Sequence, residues 1–133
     1  MKYIKSAGFT LIELLIVIVI LGLLASLVAP EMLGKIDSSG RKTALTQMKM
    51  LDTALNTYRL DVGSYPKSLE GLVKSDSPKW EGPYLPKSIP LDPWGNAYVY
   101  SLENTDGKPF VLMSLGRDGK LGGDDADQDI VLQ

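Results

Sequence analysis

An unbroken apolar run near the amino terminus limits this chain more than any other feature. From Phe9 to Ala29 it reads FTLIELLIVIVILGLLASLVA, and Glu13 is its one charged residue. As a helix rising ~1.5 Å per residue, such a run matches a hydrocarbon layer ~30 Å thick. It is longer than the ~7–15 apolar residues of an ordinary secretory signal. Its far end, ASLVAP, also lacks a clean small-x-small cleavage site, because Leu27 fills the upstream position and Pro30 would follow the cut. The expectation is a retained, single-pass membrane helix over residues 9–29. Lys2 and Lys5 precede it and Glu31 is the first charge beyond it. Positive-inside asymmetry then sets the amino terminus in the cytoplasm and the rest of the chain outside.

Glu13 stands out within the run. A carboxylate inside a span costs ~2.5–3.5 kcal/mol on insertion scales, which makes it a candidate functional residue. The plainer reading is a side chain close enough to the interface to snorkel. A sharper one follows from Gly8, five residues upstream. A cut between Gly8 and Phe9 would create an α-ammonium that cannot easily fold back on its own helix. It can instead meet Glu13 of a neighbouring subunit.

Residues 30–133 remain for one modest soluble domain. The chain has no cysteine, which excludes a disulfide framework and a thiolate zinc site. It has no histidine, which excludes a Ser-His-Asp triad, a histidine-ligated metal and an imidazole base. With only carboxylates, lysines and tyrosines left and no paired acid/base motif, the expectation is a non-enzymatic building block. Fourteen basic residues face 16 acidic ones, a net charge of −2, which argues against a nucleic-acid partner.

Ala44, Leu45, Met48, Leu51, Leu55 and Tyr58 recur at helical spacing. They predict a helix over about Ser39 to Leu60, continuous or nearly so with the membrane helix, although Pro30 and Gly34 can kink it. Gly63 and Pro66 stop it. A short helix is expected over Ser68–Lys74, and the five prolines of residues 78–93 predict an extended loop pinned by Trp80, Tyr84 and Trp94. Strands are read at Ala97–Leu102 and Pro109–Leu115, joined by an Asp106-Gly107 hairpin turn, with a third at Ile130–Leu132. The fold class is α+β, a long amino-terminal helix packed on a small antiparallel sheet.

The carboxyl-terminal stretch carries Asp118, Asp124, Asp125, Asp127 and Asp129 against one basic residue, Lys120. Such charges repel unless they are solvated or neutralised. Asp125, Asp127 and Asp129 imitate the start of an EF-hand, but Ile130 takes the position that needs glycine, and no bidentate glutamate follows. Gly116, Gly119, Gly122 and Gly123 allow the backbone to curl, so that Asp118 can meet Asp124 and Asp125. A calcium loop of another kind and a solvated acidic tail stand level on composition.

SAGFTLIELLIVIVILGLLASLVAP resembles the class III signal of type IV pilins and pseudopilins. That resemblance implies cleavage by a prepilin peptidase after Gly8, N-methylation of Phe9, and a docking role for Glu13 in subunit assembly. YRLDVGSYP, LDPWGNAYVY and SLGRDGKLGGDDAD, taken with the signal, resemble the major pseudopilins of type II secretion, the general secretion pathway protein G family. The resemblance implies a type IV pilin-like fold and a division into leader 1–8, span 9–29 and periplasmic domain 30–133. It implies an inner-membrane subunit that polymerises with itself into a helical pseudopilus and drives export of folded proteins across the outer membrane. Minor pseudopilins and an inner-membrane assembly platform are the further partners. It also implies Ca²⁺ in the last loop, with side chains from Asp118, Asp124 and Asp125 and carbonyls from Leu115, Lys120 and Gly123. The loop is shorter than in some members, so the choice among Asp124, Asp125 and Asp127 stays open. The alternative is a major type IV pilin for adhesion or motility, which shares the signal and the helix but requires neither the PWGN segment nor the aspartate loop.

Overall fold

A computed structural model of the chain describes residues 2–3, 7–103 and 107–132, with the side chains of residues 29–33 left aside. Two compact units divide it, Met1–Ile36 and Asp37–Gln133. Helix α1 spans Leu11–Val62, so the backbone stays helical through position 30, and through Gly34. Lys5 and Asp106 lie outside the described residues, as does the side chain of Pro30.

In the first unit α1 is apolar on every side. Leu11–Val28 has a mean hydropathy of 3.0, and none of it is buried within the chain. A helix apolar all round needs a surrounding that is not water. Its length and composition fit membrane anchoring.

The second unit has its own core. Ala44, Met48, Leu51, Ala54, Leu55 and Tyr58 of α1 are buried with Leu69, Leu72, Leu85, Tyr98, Phe110, Leu112 and Ile130. The expected stripe is therefore present with one exchange. Leu45 is exposed and Ala54 is buried. At ~100° per residue Leu45 sits well round the helix from Ala44, whereas Ala54 flanks Leu51 and Tyr58 one turn away on either side. Gly63, with φ +94°, receives the chain as α1 ends, its amide donating to the Arg59 carbonyl at 2.8 Å.

A 3-10 turn occupies Leu69–Leu72 inside the expected short helix. No helix or strand interrupts residues 78–93. Trp80 and Tyr84 meet edge to face at 5.8 Å, Tyr84 meets Tyr58 at 5.6 Å, and the Trp80 indole donates to the Gly71 carbonyl at 2.9 Å. Those contacts fasten the proline-rich loop over the core.

Three antiparallel strands follow, β1 (Val99–Ser101), β2 (Val111–Ser114) and β3 (Ile130–Val131), in the order β1-β2-β3. Tyr100 faces Leu112 across the first pair and Ser114 faces Ile130 across the second. Burial pushes the Tyr100 hydroxyl up to about 12, with the neighbouring Tyr65 and Tyr58 adding to the effect. Burial, then the charge of Asp92, raises Tyr98 further. Both hydroxyls donate, Tyr100 to the Pro66 carbonyl at 2.7 Å and Tyr98 to Gln47 of α1. The architecture is α+β, as the sequence pattern predicts.

Candidate functional site

Two places gather polar chemistry. The first opens α1. Thr10 immediately precedes the helix and Glu13 is its third residue, the spacing of a capping box. The Thr10 amide donates to Glu13 Oε2 at 2.8 Å and the Thr10 hydroxyl to the same oxygen at 3.1 Å. In return the Glu13 amide donates to Thr10 Oγ1 at 3.3 Å. The motif F-T-L-I-E thus closes its own helix end, a role that T-x-x-E spacing announces and that the reading of Glu13 as a docking residue alone omits. Gly8 and Phe9 lie just ahead of the cap and are exposed.

The second place is the loop between β2 and β3. It rests on a brace that sequence reasoning missed. Asp92 is buried; its Oδ1 accepts the amides of Trp94 at 3.1 Å and Asn96 at 2.8 Å, and its Oδ2 accepts the Ser114 hydroxyl at 2.8 Å. The Asn96 amide nitrogen then donates to the Gly116 carbonyl at 3.1 Å. A side chain at Gly119 would strike Asn96 at 2.9 Å. The D-P-W-G-N turn therefore supports the loop from below, and its Trp94 ring lies against Gly40 of α1.

Two arginines tie the loop to α1. Arg41 donates to the carbonyls of Gln128 at 2.9 Å and Asp125 at 3.3 Å. Arg117 donates through Nε to Asp127 Oδ1 at 3.0 Å and through a terminal nitrogen to Oδ2 at 3.3 Å, and it reaches Asp37 at 3.6 Å. The hydrogen bond to Asp127 leads the causes that raise the Arg117 guanidinium further. Asp127 is thus occupied by an arginine.

The six residues that the resemblance assigns to a metal are placed as follows. Asp118 is exposed, and its Oδ1 accepts the Lys120 amide at 3.0 Å. Asp124 and Asp125 are exposed, and the second opens the 3-10 turn Asp125–Asp127 with φ +51°. Leu115 is half-buried, while Lys120 and Gly123 are exposed. Among the described residues, no group of three or more acidic side chains converges to hold an ion. Like charges without a counter-ion have no reason to approach.

The donor set nevertheless suits calcium. Its side chains and carbonyls offer oxygen only, which hard cations prefer, and carbonyls complete the six to eight ligands that Ca²⁺ takes. One buried side-chain oxygen, Asp129 Oδ1, has no hydrogen-bond partner among the described residues. Gly116 and Gly123 fold the loop tightly, since a side-chain carbon at either would lie 2.7 Å from the Asp127 carbonyl oxygen.

Comparison with known proteins now decides the family. The profile described as "Type II secretion system (T2SS), protein G" matches residues 31–133. The chain belongs to the type II secretion system protein G family. The "Prokaryotic N-terminal methylation motif" covers residues 4–29. The type II secretion system core protein G of Pseudomonas aeruginosa is 45% identical over 134 residues, 95% of this chain and 94% of that protein. The protein of the same name from Vibrio cholerae is 40% identical over 95% of this chain and 90% of its own length. The crystal structure of the major pseudopilin from the type 2 secretion system of enterohaemorrhagic Escherichia coli superposes with a TM-score of 0.57 at 26% identity, over 74% of this chain and 90% of that one. Protein G relatives therefore share both units of the chain, and the fold is type IV pilin-like.

Proposed function

We propose that this chain is the major pseudopilin of a type II secretion system, polymerising into a helical pseudopilus that drives folded proteins across the outer membrane. The observation that carries this reading is the protein G match over residues 31–133 beside a methylation motif over 4–29. The names of the relatives favour it over a type IV pilin for adhesion or motility. An apolar helix surface left unburied among the described residues supports it as well. Heterologous contacts between such helices extend without closing, which is how a filament grows.

In this reading a prepilin peptidase cuts after Gly8 and Phe9 is N-methylated. The subunit waits in the inner membrane with its amino terminus in the cytoplasm and its second unit in the periplasm. Glu13 then pairs with the Phe9 ammonium of the adjoining copy. Minor pseudopilins and the assembly platform complete the apparatus. The β2–β3 loop holds Ca²⁺, with Asp118 as a side-chain ligand, Asp124 and Asp125 as the further candidates, and carbonyls from Leu115, Lys120 and Gly123. When bound, the ion supplies the positive charge that lets this acidic loop close in a chain that has no disulfide.

Deletion of the gene tests the function. Export of secreted proteins should stop while twitching motility persists. Loss of twitching with export intact would assign the chain to type IV pili instead.

A further inference from the structure

Helix α1 carries two stripes along the second unit. The inner one, Ala44, Met48, Leu51, Leu55 and Tyr58, is the buried core face. The outer one lies two residues further on at every step, at Thr46, Met50, Thr53, Thr57 and Leu60. Two residues turn a helix by ~200°, so the outer stripe looks away from the core. All five of its residues are exposed, Leu60 by 84%.

This stripe holds no charged residue, whereas the side of a helix opposite its core is ordinarily charged or polar. Lys49 and Asn56 stand along one edge, and Asp61 follows its last residue. Its threonines have turned their donors inward. The Thr46 hydroxyl donates to the Lys42 carbonyl at 3.0 Å, that of Thr53 to the Lys49 carbonyl at 3.0 Å, and that of Thr57 to the Thr53 carbonyl at 2.9 Å. Each hydroxyl proton is thus used within the helix, and each methyl is left for a neighbour. Steps of four, three, four and three residues are the spacing with which one helix packs along another.

Beside Met50 the stripe opens into a groove of about 310 Å³ made with the proline-rich loop. Leu85, Pro86 and Pro90 give its apolar wall, with Lys87 and Ser88 exposed beside them. Methyl groups, a pliable methionine and proline rings therefore form one continuous surface across two elements.

We infer that this surface seats the apolar first-unit helix, Leu11–Val28, of another copy of the chain. The inference rests on the filament reading given above and names the place on the second unit where the incoming helix lies. The two surfaces match in what they lack. Leu11–Val28 has one charged residue, Glu13, and the outer stripe has none. A helix that leaves lipid needs another apolar face in its place. One copy offers its first unit and the other its second, so the contact is heterologous and repeats without closing. A polar partner would find threonine donors already engaged.

The chain has no cysteine, so introduced cysteines report the contact cleanly. Cells that hold the secretion apparatus produce two tagged full-length variants together, one carrying Met50→Cys and the other a single cysteine placed in turn along residues 14–24. Sheared filaments are oxidised and their products sized. Disulfides joining the two tags should recur every three or four positions along the first-unit helix. Thr53→Lys should melt like wild type in micelles, since position 53 is exposed in the single chain. Its filament yield should fall on the order of tenfold or more, because assembly would bury an unpaired charge. Thr53→Val keeps the outward methyl and should assemble like wild type.

Normal filament yield from Thr53→Lys, or loss of filaments in Thr53→Val, would overturn the inference and leave the filament reading standing. A Met50→Cys chain that links only to some other protein would overturn it in the same way. Wild type that forms no filaments would overturn both.

Discussion

Helix α1 is two different objects joined end to end. From Leu11 to Val28 large apolar side chains point in every direction and all are exposed in the single chain. From Ala44 to Tyr58 the apolar residues other than Leu45 and Met50 keep to one stripe and are buried, while Thr53, Asn56 and Thr57 take the polar side. The second stretch finds its apolar partners in its own unit, among Leu72, Leu85, Tyr98 and Leu112. The first finds none there, and in the proposed cycle lipid covers it before assembly and other copies afterwards. Breadth of the apolar face, more than hydrophobicity as such, separates a helix that completes a domain from one that waits for company.

Core truncation should show the contrast most strongly. Leu51 is fully buried. Leu51→Ala should therefore destabilise the second unit by ~2–5 kcal/mol. Ile16→Ala in the first unit should leave thermal unfolding of the second unchanged. Equal losses from both substitutions would erase the distinction.

Alkali should come next, and it should also act on the second unit alone. Tyr100 holds its proton up to about 12 in the folded chain, against an ordinary value of 10.0. Above the ordinary value the unfolded chain releases this proton while the folded chain keeps it. Stability is therefore full below pH 10 and falls as pH rises toward 12. Tyr98 shifts in the same direction and deepens the fall. Unfolding curves recorded from pH 9 upward check this, and a flat profile in that window would contradict the burial of these two hydroxyls.

The smallest effect belongs to the cap. Thr10→Ala removes one half of the box and should weaken the helix start by ~0.5–2 kcal/mol. Faster hydrogen exchange at the amides of Glu13 and Leu14 in micelles would report it, with Thr10→Ser restoring protection. Unaltered exchange would mean that Glu13 serves other copies only.

How far the sequence could be read follows from the range of each interaction. The membrane run, the 44–58 stripe and the three strands depend on neighbours a few residues away, so periodicity exposes them. Leu45 and Ala54 traded places because periodicity locates a stripe and leaves its edges to packing. The Thr10–Glu13 box was legible from spacing, but the docking reading of Glu13 left it unread. The Asp92–Ser114 pair, 22 residues apart, and the Asn96 prop beneath Gly116 leave no local trace. Nor does the standing of Asp129. Five aspartates look alike in a row of letters, and only burial and hydrogen bonding show that Asp127 is taken by arginine and Asp129 is half unpaired.

Assembly tests the central claim most directly. Wild type and Glu13→Ala, each produced in cells that hold the secretion apparatus, are sheared from the envelope and sedimented, with the amino terminus of each read by mass spectrometry. Both chains should begin at N-methylated Phe9, and wild type alone should pellet as filaments. Filaments of normal yield from Glu13→Ala, or wild-type filaments that retain residues 1–8, would contradict the account.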